Sequence, residues 1–166
     1  MTRTGAVDVQ YFDTGGARAA LVVGAAPTFD EIVQEHVCRL AEVAPYEPGS
    51  FYKRELPAIR AVLAGVEPVE LLVVDGYVDL DPDGRPGLGA RAHADFGLPV
   101  IGVAKTAFRT ATHAAEIRRG GSDKPLYVTA AGLPVATAAD YVRRMRGEFR
   151  LPDALRRVDA LARGRA

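Results

Sequence analysis

The order of strand and helix patterns is the feature of this chain that most constrains its fold. Runs of apolar and β-branched residues, separated by Gly and Pro turn signals, predict three consecutive strands at residues 6–12, 17–24 and 28–37. Helix and strand patterns then alternate: predicted helices cover residues 55–64, 87–96, 136–146 and 152–162, and predicted strands cover residues 71–75, 98–103 and 126–130. Such an order predicts a single α/β domain over residues 1–166, with a mixed sheet and helices on both faces.

The third predicted strand has an alternative interpretation. Glu31 and Glu35 are good helix formers, so residues 28–37 also fit a short helix. The β-branched residues of this segment and the two strands before it favour a strand.

The composition is typical of an ordinary globular protein. The chain has 166 residues, of which 48% are hydrophobic and 25% charged, enough for one domain with its own core. Its single cysteine, Cys38, excludes an internal disulfide and lies in an apolar stretch, which indicates a buried structural thiol in a reducing compartment. No signal peptide and no membrane-spanning apolar run is evident, so we expect a cytoplasmic monomer with no membrane partner.

Three acidic residues from separate predicted elements form a candidate metal site. Asp8 lies in an alternating strand, Asp75 ends a buried apolar strand, and Glu55 begins a helix. Carboxylates in such places are costly unless a cation neutralises them, and oxygen ligands suit Mg²⁺ or Mn²⁺. The alternative is two strand-end acids bonded to backbone amides and an ordinary helix N-terminal glutamate, and spacing alone favours that alternative.

Tyr46 lies between Pro45 and Pro48, in a turn that the prolines should make stiff. A stiff, exposed aromatic side chain suits insertion between stacked bases. Plain packing within the loop is the alternative.

Positive charge offers a second indication of phosphate chemistry. Lys105 directly follows a buried strand, where its ammonium could stabilise charge during phosphodiester hydrolysis; a solvated loop lysine is the alternative. The net charge is zero, which does not favour a nucleic-acid binder. Arginines do gather late in the chain, between residues 143 and 165, and they could form either a phosphate-binding face or a solvated surface.

Taken together and in this order, these segments resemble endonuclease V, a family of nucleases that act on deaminated nucleic acids. The resemblance covers nearly the whole chain. The matching segments are Asp8, Pro45-Tyr46-Glu47-Pro48-Gly49, Arg54-Glu55, Val74-Asp75-Gly76, Leu88-Gly89, His93, Pro99-Val100-Ile101-Gly102-Val103-Ala104-Lys105, Pro125-Leu126-Tyr127-Val128 and Phe149-Arg150-Leu151-Pro152.

This resemblance implies an RNase H-like fold and a metal-dependent endonuclease. It implies cleavage on the 3′ side of a deaminated base such as inosine, in DNA or RNA. The implied ligands of Mg²⁺, with Mn²⁺ as a substitute, are Asp8, Glu55 and Asp75, and Lys105 would complete the catalytic residues. The implied contacts to nucleic acid are a wedge at Tyr46 together with Pro45, Pro48, Gly49, Gly76 and His93. Two alternatives are a nucleic-acid-binding homologue that has lost catalysis or lesion choice, and a hydrolase of a small phosphoester.

The sequence also departs from the family pattern. Members usually carry Asp-Gly-His-Gly and then His-Pro, where this chain has Asp75-Gly76-Tyr77-Val78 and Asp81-Pro82; a later family histidine is replaced by Leu133. A valine at position 78 would narrow a pocket for a flipped base. Asp81 could be a fourth carboxylate near the metal, but Asp-Pro-Asp-Gly favours a turn. The sequence also starts almost directly at the first strand, without the leading helical segment of many members.

Overall fold

Seven strands form one mixed sheet in the computed structural model, which describes residues 2–48, 50 and 52–165. The strands are β1 (Thr4–Tyr11), β2 (Ala17–Gly24), β3 (Ile32–Leu40), β4 (Leu71–Asp75), β5 (Val100–Ala104), β6 (Ala115–Ile117) and β7 (Leu126–Ala131). The helices are α1 (Tyr52–Leu63), α2 (Leu88–Phe96), α3 (Val135–Arg144) and α4 (Asp153–Ala162). The predicted α/β class is confirmed.

The strand order brings several strand ends to one edge of the sheet. Across the sheet the order is β3-β2-β1-β4-β5-β7-β6. β1, β4 and β5 are parallel neighbours, whereas β2, β3, β6 and β7 pair antiparallel to the strands beside them. The carboxyl ends of β1, β4 and β5 therefore lie together, and that edge is where sites gather in open α/β sheets.

Helices cover both faces of the sheet, as the alternation of patterns predicts. On one face, α3 and α4 pack Val142 and Val158 against the sheet. On the other face, α1 and α2 pack Ile59, Val62 and Ala92. Each fully buried aliphatic side chain stabilises the fold by about 1.5–3 kcal/mol, so these two cores fix the sheet between rigid layers.

Three details differ from the predictions. β3 begins at Ile32 rather than residue 28, because the preceding residues form a turn in which Phe29 has a φ of 52°. α1 begins at Tyr52, so Pro57 lies in its second turn and not in its first. β6 was not predicted at all, because its three residues are too few for a recognisable pattern.

Three further predictions, on β3, on Cys38 and on a membrane span, can be compared with the structure. The strand interpretation of β3 is confirmed. Cys38, on that strand, is half-buried instead of fully buried, because β3 is the outermost strand on its side of the sheet. Within the described residues, no helix has the length and apolar character needed to cross a bilayer.

Candidate functional site

A cavity of about 270 Å³ lies at the edge of the sheet where β1 and β4 end. Its lining includes Asp8 from β1, Glu55 from α1, Asp75 from β4 and Lys105, which follows β5. The four residues predicted as catalytic thus share one cavity. A fourth carboxylate, that of Asp159 in α4, also lines it.

Strand pairing explains why two of the carboxylates are neighbours. The ladder between the parallel strands β1 and β4 pairs Ala6 with Val73 and ends there. Asp8 and Asp75 each lie two residues beyond this last pair, so they occupy equivalent positions where the strands separate. Asp75 is still held in the sheet by β5, where it pairs with Val103. The carboxylates therefore project from a fixed backbone.

The pKa values of the three acids are all raised, first by desolvation and then by neighbouring negative charge. Desolvation by the surrounding protein, followed by the charge of Asp75, raises the pKa of Asp8 to about 7. Desolvation, followed by the charges of Asp8 and Asp75, raises the pKa of Glu55 to about 8. Asp75 is the most solvent-exposed of the three, but desolvation by the cavity walls still raises its pKa, and the ammonium of Lys105 opposes the rise.

The donor set fits a hard divalent cation in its chemistry. All three acids offer carboxylate oxygens, the ligands that Mg²⁺ prefers, and their raised pKa values indicate that burial disfavours the ionised carboxylates when no cation is bound. The three carboxylates do not form a closed metal site. Among the described residues, no group of three or more His, Cys, Asp or Glu side chains is arranged so that it could hold an ion. The backbone N–H of Val9 donates to Asp8 Oδ1 (3.0 Å), a contact that the alternative to a metal site anticipated.

Asp159 is the site residue that sequence reasoning missed. Its carboxyl group adds to the elevated pKa of Asp8 by hydrogen bonding and by charge. Arg163, four residues on and directly after the end of α4, forms an ion pair with it (Nε to Oδ2, 3.1 Å). One signal was present in the sequence. Asp159 lies four residues after Leu155, on the side of α4 that borders the core, where an acidic side chain is unusual unless it has a partner or a function.

The turn that carries Tyr46 lies a few residues before α1, whose Glu55 lines the cavity, and a side-chain contact joins the turn to α1. Tyr46 is 62% exposed. Lys53 of α1 donates to the carboxylate of Glu47 (2.9 Å), beside Tyr46 in the turn. The Arg54 guanidinium lies 5.9 Å from the ring centroid of Tyr46 and 4.1 Å from that of Tyr11, which lines the cavity.

The remaining residues predicted to contact nucleic acid have diverse surroundings. Pro45 and Pro48 are exposed, and Gly49 lies outside the described residues. Gly76 has a φ of 108°, which favours glycine, and open space where a Cβ would be. The half-buried His93 contacts the carbonyl oxygen of Leu98 through Nδ1 (2.6 Å), so its imidazole already has a partner within the fold. A contact of His93 with nucleic acid stays a prediction.

The positions that depart from the family pattern are filled by packed side chains. Val78 is 1% exposed, and its N–H donates to Thr129 Oγ1 (2.8 Å). The Tyr77 hydroxyl donates to the carbonyl of Thr106 (2.7 Å) and accepts from the N–H of Phe108 (3.0 Å), which fixes the loop after β5. Asp81 accepts from two backbone N–H groups of its own turn, as the turn interpretation predicts.

The fold and the acidic cavity define the class of protein first. A mixed sheet of this order, with carboxylates at the ends of adjacent parallel strands, is an RNase H-like α/β domain. An Argonaute structure from A. aeolicus superposes on 98% of this chain with a TM-score of 0.56 and 12% identity, over 28% of its own length. That likeness concerns the fold alone.

The sequence then identifies the family. A sequence model of the Endonuclease V family matches residues 1–131. An endonuclease V from Streptomyces avermitilis is 32% identical over 184 aligned residues, covering 97% of this chain and 79% of the relative. A crystal structure of an endonuclease V from that organism has a TM-score of 0.80 at 31% identity and covers 98% of this chain and 80% of its own. This chain belongs to the endonuclease V family.

A structure with bound nucleic acid is also similar in fold. It contains endonuclease V from Ciona intestinalis in complex with a 23mer DNA that holds an inosine followed by a ribo-adenosine. The TM-score is 0.82 at 17% identity, and the match covers 98% of this chain and 84% of the Ciona chain. At this identity the similarity shows that the two proteins share a fold, and it concerns the fold alone.

Proposed function

We propose that this protein is a metal-dependent endonuclease that hydrolyses a phosphodiester on the 3′ side of a deaminated base such as inosine, in DNA or RNA. The observation that carries the proposal is the convergence of Asp8, Glu55, Asp75 and Lys105 on one cavity, from four separate elements. Membership of the endonuclease V family supports the reaction class. The inosine-containing DNA bound to the Ciona protein supports the class of partner.

Asp8, Glu55 and Asp75 would hold Mg²⁺, or Mn²⁺ in its place, and Asp159 is near enough to Asp8 to join them. When bound, the ion would supply Lewis-acid polarisation of the phosphodiester. Its charge would return the pKa values of the carboxyls toward their ordinary range, because each carboxylate would then face a cation instead of another anion. Neutralisation of the repulsion would also allow the carboxylates to approach one another more closely.

Lys105 and Tyr46 would act directly on the substrate. The ammonium of Lys105, already close enough to Asp75 to oppose the rise in its pKa, would stabilise negative charge on the phosphoryl oxygens. Tyr46 would fill the gap left by a base flipped out of the helix. Pro45 and Pro48 would keep its turn stiff, and Gly49 would be a further contact to the nucleic acid. Gly76, which has no side chain, would let the nucleic-acid backbone approach the protein closely.

A second candidate function is nucleic-acid binding without cleavage or with altered lesion choice. Tyr77 and Val78 favour this candidate, because their packed side chains occupy positions where family members usually have histidine and glycine. Such a homologue would retain binding that weakens with salt, since phosphate contacts release counterions.

Cleavage of inosine-containing DNA and RNA in Mg²⁺ or Mn²⁺ tests the proposal. We expect nicking near inosine and none in the same strand with guanine. A shift in gel mobility without product, from folded protein at several concentrations, would favour the second candidate and overturn the nuclease.

The variant Val78→Gly separates the two candidates further. If the valine narrows a pocket for the flipped base, this substitution should restore cleavage at inosine or extend it to other deaminated bases. It would also leave a cavity in the core.

A further inference from the structure

A second groove, of about 280 Å³, adjoins the carboxylate cavity and carries only positive charge. Its walls come from the loop after β5 and from the start of β7. Lys105 lines both the groove and the carboxylate cavity, so the two adjoin at this residue. The groove is lined by Lys105, Thr106, Ala107, Lys124, Pro125, Tyr127 and Arg150, and this set contains three cations and no carboxylate.

The positive charge of the groove has few acidic neighbours: Lys105 is close enough to Asp75 to oppose the rise in its pKa, and no acid lines the groove itself. Half of the eight arginines between residues 143 and 165 have acidic partners; those paired with Asp140, Glu35 or Asp159 are Arg143, Arg144, Arg157 and Arg163. Within the described part of the chain, neither lysine of the groove nor Arg150 forms an ion pair. A surface with three cations and no anion is expected to attract a polyanion.

Arg150 gives the groove a fixed shape. Its guanidinium donates to the carbonyl oxygens of Lys105 (2.5 Å), Pro125 (2.7 Å) and Lys124 (3.0 Å). These carbonyls belong to two separate loops, so one side chain ties together the backbones that carry both lysines. Nε and Nη2 of Arg150 are engaged by these three carbonyls, whereas the ammonium groups of Lys105 and Lys124 are exposed to solvent. A rigid groove loses little conformational entropy when it binds a ligand.

We propose that this groove binds a phosphate of the substrate strand next to the phosphodiester at the carboxylates, with Lys124 as the principal contact. The inference rests on the proposed function for its ligand, and extends it by assigning the path of the strand: from the carboxylate cavity, past Lys105, to Lys124. Phosphate contacts position a strand without selecting sequence, so this subsite holds the substrate backbone in place whatever base lies there.

A scan with neutral phosphates tests the assignment. Strands containing inosine each carry one uncharged methylphosphonate at a different position, and their affinities are measured by fluorescence anisotropy in Ca²⁺, which replaces Mg²⁺ to keep the strand intact. The proteins compared are the unsubstituted chain, Lys124→Ala and the control Arg143→Ala. The control removes one exposed positive charge that is paired with Asp140 on α3.

We expect one position at which the neutral phosphate weakens binding to the unsubstituted protein and to Arg143→Ala, but not to Lys124→Ala. Lys124→Ala should also reduce the slope of log affinity against log salt by about 1, and it should weaken binding equally with and without inosine. If the scan has no such position, if the slope is unchanged, or if the unsubstituted protein binds no strand, the subsite is overturned. Failure to nick inosine strands, with the scan result retained, would overturn only the nuclease.

Discussion

At the scale of single residues, Asp75 gives the clearest test of the carboxylate cavity. Asp75→Asn keeps the shape of the side chain and removes the charge that would attract the cation. We expect nicking of inosine strands to fall at least about a hundredfold, more than the loss typical of residues that only support a metal ligand. The matched control is Asp81→Asn, because the carboxylate of Asp81 closes its own turn. Equal nicking by both variants at saturating Mg²⁺ would rule Asp75 out as a required ligand.

Tyr46 tests how the protein recognises its substrate, since its removal leaves the carboxylates untouched. A base in a duplex must be unstacked before it can flip, whereas a single strand has less stacking to lose. Tyr46→Ala should therefore weaken cleavage of inosine duplex by about 1–3 kcal/mol in apparent transition-state stabilisation, and weaken cleavage of single strands less. Phe149→Ala, which removes another exposed aromatic ring (56% exposed), is the control. Equal losses on both substrates would contradict a wedge.

Strand and helix patterns marked out Asp8, Glu55 and Asp75 as a candidate metal site, and the family resemblance implied it although spacing alone favoured the alternative. The structure brings the three residues to one cavity, and their role as metal ligands stays a prediction. Asp159 could not be found in the same way. It lies in the middle of α4, and its place in the cavity depends on how that helix packs across β1 and β2. Helical spacing places Asp159 on the side of α4 that borders the core, but its contact with Asp8, about 150 positions away in the chain, cannot be predicted from periodicity.

At the scale of elements, the clamp made by Arg150 joins the loop after β5 to the loop before β7. Arg150→Gln would leave three carbonyl oxygens without their present donors, although water could replace some of them. We expect the free energy of unfolding in denaturant to fall by about 1–3 kcal/mol. Arg143→Gln, on the exposed surface of α3, should change it by less than about 0.5 kcal/mol. Equal effects of the two substitutions would show that the clamp is not a stabilising contact.

At the scale of the whole molecule, the same order of elements accounts for both the fold and the place of the site. The alternation of helix and strand patterns predicted a mixed sheet covered on both faces, and the structure confirms it. The pairing order of the strands was not predictable from local patterns, because it depends on contacts between distant segments. That order is what makes β1, β4 and β5 neighbours, and so concentrates negative charge at one edge of a molecule whose net charge is zero.

Concentrated acids should make the stability of the whole molecule depend on pH in an unusual direction. The folded pKa values are about 7 for Asp8 and about 8 for Glu55, and that of Asp75 is also raised; in the unfolded chain they are about 4. Between these limits the folded state binds more protons than the unfolded state, so the free energy of unfolding falls as pH rises.

Without metal, we therefore expect the protein to be less stable at pH 8 than at pH 5. Because the carboxyls are partly exposed, the loss should be on the order of 1–2 kcal/mol, or roughly 2–8 °C in Tm for a domain of this size. Thermal unfolding in EDTA measures it. Added Mg²⁺ should raise Tm more at pH 8 than at pH 5, because ligands must be ionised to bind. Asp8→Asn combined with Glu55→Gln should make Tm depend less on pH. A Tm that rises from pH 5 to pH 8 in EDTA would contradict the raised pKa values of the carboxyls in this cavity.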